Sequence, residues 1–212
     1  MSSLKKSLIA LLIALLSVRS VLASEDGSGN YFGFGGGSSG YMAKFFDNDY
    51  YIIEDDISGT SKTKSYDESD QGYKIYGGYY FNKIIGVEAS FTDYGTLSSA
   101  KYTQKPQSFA VYANAGYNFF KGQLRPFGLL GLGYLKTHQS RDILDDDFVT
   151  LHAGGGVEYY PAVFKGLGFR AAVEGDFKSS SERAVDESGN NYSSKAFYQR
   201  YVLLYIGVQY KF

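Results

Sequence analysis

The chain has 212 residues with a formal net charge of −1, no cysteine, no tryptophan, and 3 prolines against 26 glycines, 21 tyrosines and 16 phenylalanines. The absence of a basic excess excludes a nucleic-acid partner, and the absence of cysteine excludes a disulfide framework. What remains is the composition of an all-β chain with a large aromatic surface.

Lys5 and Lys6 open the sequence, an apolar run follows from Leu8 to Leu16, and Val21-Leu22-Ala23 precedes Ser24. A charged start, a short apolar stretch and a small-residue cleavage site predict a signal peptide over residues 1–23, with a β-barrel domain over 24–212. The run is too short to span a bilayer as a helix, and no later segment reaches the 18 apolar residues a spanning helix needs. Removing the leader takes away Lys5, Lys6 and Arg19 and no acid, so the mature chain is acidic.

A glycine-rich first strand is expected over 31–44, followed by a polar stretch over 45–70. Residues 72–81 and 84–95 form a pair joined by Asn82-Lys83, a two-residue hairpin link. A polar loop over 96–105 leads to strands over 106–120 and 126–140, linked by 121–125. After an acidic loop over 141–146 come strands at 147–160 and 167–178, separated by a turn at 161–166. A last polar loop, 179–195, precedes a closing strand at 197–212. In that strand Val202, Leu204, Ile206, Val208, Tyr210 and Phe212 alternate with Tyr201, Leu203, Tyr205, Gly207, Gln209 and Lys211, and its length suits a tilted strand crossing a bilayer.

That makes eight strands whose connections alternate long and short, with both ends on the short-link side. The layout predicts an all-β, eight-stranded antiparallel up-and-down transmembrane β-barrel, its interior just wide enough for side chains to fill. Most strands sort by parity. Ile85, Val87, Ala89 and Phe91 oppose Gly86, Glu88, Ser90 and Thr92, and Phe169, Ala171 and Val173 oppose Arg170, Ala172, Glu174 and Asp176. The fifth strand carries leucines at both parities and has no assignable face. A soluble barrel of the lipocalin kind shares the alternation but turns the apolar face inward. The polar faces decide against it: isolated charges of both signs among Gly, Asn and Tyr suit a narrow packed lumen rather than a solvated surface. Tyr73, Tyr94, Tyr117, Tyr159 and Tyr210, near strand ends, are expected in interfacial aromatic belts.

Lys74, Glu88, Glu158, Arg170 and Glu174 all have inward parity. An unpaired buried charge costs about 3–5 kcal/mol, so they are expected to form a lumen ion-pair network. Glu158 and Arg170 flank the 161–166 turn at similar distances and are expected to be cross-strand neighbours.

The stretches Tyr73-Lys74-Ile75-Tyr76-Gly77-Gly78-Tyr79, Val87-Glu88 and Gly155-Gly156-Val157-Glu158-Tyr159, with the Arg170/Glu174 strand, resemble the transmembrane domain of outer membrane protein A and the small opacity- and adhesin-type barrels. The resemblance covers nearly all of the mature chain and implies a location in the bacterial outer membrane. It also implies a lumen plugged by exchanging ion pairs, and an insertion signal at Leu204, Ile206, Val208, Tyr210 and Phe212 that the barrel-assembly machinery reads. The seventh-strand arginine stands two positions from its usual place, and Asn114 stands where the family often has lysine.

Three functions compete. The first is a non-enzymatic surface barrel, with a role in envelope stability or adhesion. The second is a narrow pore gated by the ion pairs, and the third an enzyme acting on lipopolysaccharide. For the enzyme, His138-Gln139-Ser140 before Asp142 supplies the residue types of a nucleophilic set, without the rest of a deacylase pattern. No spacing points to a metal or cofactor, and none is expected. Expected partners are outer-membrane lipid and lipopolysaccharide. A surface ligand could meet the acidic loops, where residues 45–70 hold eight acids (Asp47, Asp49, Glu54, Asp55, Asp56, Asp67, Glu68, Asp70) against two lysines. Asp142 and residues 145–147 add a second acidic cluster.

Overall fold

A computed structural model describes residues 27–45, 70–99, 102–138, 147–180, 183–185, 191–193 and 197–212. Eight long strands close a barrel: β1 (Gly29–Phe45), β2 (Asp70–Tyr80), β3 (Ile85–Asp93), β6 (Gln107–Gly116), β7 (Leu124–Lys136), β8 (Asp147–Tyr159), β9 (Leu167–Ser180) and β12 (Phe197–Lys211). Two small hairpins extend the loop end, β4 (Leu97–Ser99) with β5 (Tyr102–Gln104), and β10 (Arg183–Val185) with β11 (Asn191–Ser193). Each barrel strand pairs antiparallel with its chain neighbours, and β12 returns to β1 with Phe34 opposite Val208 and Ser38 opposite Leu204. Closure leaves no edge strand, the condition for placing a sheet in lipid.

The alternation does what the parity reading requires. Along β12, Tyr201, Leu203, Tyr205 and Gln209 are buried while Leu204 and Ile206 face out, Ile206 with 75% of its surface exposed. Val157 and Phe169 also face outward, whereas Glu88, Glu158 and Arg170 are buried at 1% exposure or less. The soluble alternative is therefore excluded, since a water-filled surround would face the apolar side.

Strand β7 resolves its leucines. Leu129 and Leu135 point inward and Leu130 and Leu132 outward, with Gly131 and Gly133 as the intervening inward positions. Small inward residues recur because tyrosines cross the lumen. A β carbon on Gly33 would lie 2.5 Å from the Tyr76 ring, one on Gly35 2.5 Å from Tyr205, and one on Gly78 2.8 Å from the Tyr31 hydroxyl. Glycine on one strand thus makes room for a ring from another.

Three expectations need correction. The link between β2 and β3 is four residues, 81–84, where Asn82 Oδ1 accepts the backbone N–H groups of Ile84 and Ile85 (2.8 and 2.9 Å) in place of a carbonyl of β2. Strand β7 begins at Leu124, so Arg125 belongs to the wall and not to the turn. Tyr94 shares the parity of Glu88 and lies inside, donating to Asp176 Oδ2 at 2.6 Å, whereas Tyr73, Tyr117, Tyr159 and Tyr210 are exposed on the outer face.

Candidate functional site: the charged lumen

Two ion clusters are stacked in the interior. Nearer the short turns, Arg170 of β9 grips Glu88 of β3 through two parallel bonds of 2.8 Å and reaches Glu158 of β8 at 2.7 Å. Glu158 and Arg170 are directly opposite in the β8–β9 ladder. Arg125 of β7 approaches Glu158 at 3.3 Å and donates to Asn114 Oδ1 at 2.9 Å, and Asn114 passes a longer bond of 3.3 Å to Glu88. The spare carboxylate lone pairs take tyrosine hydroxyls. Tyr31 and Tyr112 donate to Glu88 at 2.5 and 2.6 Å, and Tyr80 donates to Glu158 at 2.8 Å. The Arg170 guanidinium lies over the rings of Tyr76 (4.1 Å) and Phe127 (4.7 Å). Two cations meet two carboxylates, and this cluster is neutral.

Toward the loops, Lys74 of β2 is ion-paired with Glu174 of β9, which also accepts the Tyr205 hydroxyl at 2.5 Å. His152 of β8 bridges two carboxylates, with Nε2 3.3 Å from Glu174 and Nδ1 3.2 Å from Asp176. Asp176 further accepts from Thr150 (2.7 Å) and Tyr94 (2.6 Å). Both ring nitrogens of His152 face carboxylate oxygen, an arrangement that only the imidazolium satisfies with two N–H donors. In that form one lysine and one histidine balance Glu174 and Asp176. The Tyr112 ring stacks on the imidazole at 4.7 Å and connects the two clusters, since its hydroxyl serves Glu88 below.

All five residues expected in the lumen lie there, but in two groups: Glu88, Glu158 and Arg170 in one, Lys74 and Glu174 in the other. Arg125, His152, Asp176 and Asn114 complete the clusters and were not part of the expected network. Inward parity marks His152, Asp176 and Asn114 in the sequence, and Arg125 is found by the same rule once β7 starts at Leu124. On the outer face of β12, Leu204, Ile206, Tyr210 and Phe212 are exposed and Val208 half-buried. Ser140 and Asp142 lie outside the described residues, as do 46–69, 145, 146 and the leader. His138 is an exposed residue at the end of β7, its Nδ1 3.3 Å from the Lys105 carbonyl. Among the described residues no group of three acidic, histidine or cysteine side chains is arranged to hold a metal.

An apolar exterior around a closed ring of eight strands, with paired charges within, defines an integral membrane β-barrel. A family model described as the outer membrane protein β-barrel domain matches residues 8–212, and the chain belongs to that family. It is an outer-membrane protein of Gram-negative type. The structure resembles Neisserial surface protein A, NspA, with a TM-score of 0.55 and 16% identity over 88% of this chain and 99% of that one. It also resembles OprG of Pseudomonas aeruginosa (TM-score 0.48, 14% identity, 87% and 96% coverage) and Ail, the attachment invasion locus protein of Yersinia pestis (0.47, 17%, 87% and 99%). No curated protein matches the sequence.

Proposed function

We propose that the protein is a sealed, non-enzymatic outer-membrane barrel that contributes to envelope stability and presents its long loops to partners at the cell surface. The observation that carries this reading is the lumen. From Arg125 to Asp176, ion pairs and tyrosines from all eight wall strands fill the section through which a solute would pass. In a planar bilayer the refolded protein is expected to show no steady conductance, and a stable open pore in most insertions overturns the proposal. One feature favours a narrow pore as the second reading: Arg170 already divides its guanidinium between two carboxylates on different strands, so a change of partner requires only a rotation of one side chain. Brief conductance steps that disappear in Arg170→Met would support it.

Residues 1–23 are proposed as the signal peptide. Leu204, Ile206, Val208, Tyr210 and Phe212 are proposed as the signal read by the barrel-assembly machinery, because they form the outward row of the strand that closes the ring. Lipopolysaccharide is the proposed neighbour of the loop end. The acids of residues 45–70 suit sharing divalent cations with its phosphates.

A further inference from the structure

The mouth at the short-turn end, which in membrane barrels faces the periplasm, holds a cavity of about 440 Å³. All three short turns line it, through Asn82 and Lys83, Asn118 and Gly122, and Lys165 and Gly166, together with Gly27 and the end of β12. The rim is tied together by backbone bonds. Tyr160 N donates to Gln123 O at 2.7 Å, Lys211 N to Gly166 O at 2.8 Å, and Phe212 N to Asn30 O at 2.9 Å. The side chains around it are therefore carried on a fixed frame.

What those side chains offer is almost entirely donors. Asn82 spends its Oδ1 on two backbone N–H groups, which leaves its amide NH2 for the cavity. The Tyr160 hydroxyl oxygen accepts from Gln209 at 2.5 Å, which leaves its O–H to donate. Lys83 and Lys165 make no ion pair among the described residues and are exposed. Lys211 bonds the Gly27 carbonyl at 2.5 Å and lies 5.4 Å from the centre of the Tyr80 ring, adding a third ammonium. Arg125 closes the floor with its charge already met by Glu158. No described aspartate or glutamate lines the cavity, and the main-chain carboxylate of Phe212, which also lines it, offsets one of the three lysine charges. A concave site of this size with convergent donors, and with Lys83 and Lys165 making no ion pair among the described residues, has the chemistry of an anion receptor.

We propose that this mouth binds a small phosphate-bearing anion, with Lys83, Lys165, Asn82 and Tyr160 as its donors. The test uses the folded barrel in uncharged maltoside micelles, titrated with inorganic pyrophosphate and followed by backbone amide resonances. Sodium chloride of equal ionic strength serves as the control. Saturable shifts confined to residues 82–84, 122 and 165–166 are expected, with affinity weakened about tenfold in Lys83→Gln and again in Lys165→Gln. Both lysines are exposed in turns, and an unchanged heat-modifiable gel shift verifies that the variants fold. Shifts that do not saturate, that chloride reproduces, or that persist in the double variant mean an adventitious ion only and overturn the proposal. Nanodiscs distinguish the source of the phosphate. If phosphatidylglycerol added to phosphatidylcholine shifts the same amides and blocks pyrophosphate, the ligand is a lipid headgroup. Undiminished pyrophosphate binding assigns a soluble one.

Discussion

The two lumen clusters carry similar charge in unlike ways. The one nearer the short turns is built on arginine, whose planar fork makes two parallel bonds to Glu88 and a third to Glu158, so one side chain fixes the relative positions of β3, β8 and β9. The one nearer the loops is built on a lysine and a histidine. Lys74 is a point charge with no preferred fork, and His152 makes longer contacts of 3.2 and 3.3 Å. Arginine is always charged and suited to bidentate pairing, while lysine and histidine leave more of the geometry to their neighbours. The difference places the rigid part of the seal close to the fixed turns. The part that depends on a protonated imidazole lies close to the loops.

Removing the centre of each cluster tests that ranking. Arg170→Met leaves buried Glu88 with no cation and Glu158 with Arg125 alone, and the barrel is expected to lose about 3–5 kcal/mol in urea titration from lipid bilayers. Adding Glu88→Gln to that variant restores part of the loss; if it restores nothing, the pairing is not what holds the strands. Lys74→Met leaves Glu174 with Tyr205 and His152 as partners, so a smaller loss of about 1.5–3 kcal/mol is expected in the same titration. A loss equal to that of Arg170→Met would erase the distinction between the clusters. His152→Gln retains one donor and gives up the charge, and about 1–2 kcal/mol is expected.

The sequence shows the wall more fully than it shows the contents. Strand alternation is a local property, and the eight strands follow from it, together with the faces of all but the glycine-rich first and the leucine-rich fifth. Which inward side chains meet is set by ring closure and by heights along the barrel axis. Lys74 and Glu174 are 100 residues apart and lie on strands that do not pair, so no hairpin register connects them. Glu158 and Arg170 could be matched because a single turn joins their strands. Arg125 was obscured by Pro126, which looks like the start of a strand, although a proline on the lipid side of a wall leaves the inward neighbour before it in register. The β7 leucines were ambiguous for a related reason. With glycine at inward positions 131 and 133, the inward face from Phe127 to Leu135 has no polar side chain to mark it.

The smallest expected effect comes from an ion pair of the same charge types placed outside the lumen. Lys136 and Asp147 are opposite in the β7–β8 ladder at the loop end, 3.7 Å apart, each side chain 45% exposed. Water solvates both ions before and after folding, so the pair has little desolvation to recover and little to lose. Lys136→Gln is expected to change stability by under about 1 kcal/mol, with that small change fading as salt is raised. Arg170→Met should keep nearly all of its larger loss in high salt, because the lumen leaves no room for screening ions around Glu88 and Glu158. Equal salt sensitivity in the two variants would mean that water and ions reach the lower cluster, and the lumen would then be wet where the ion pairs are tightest.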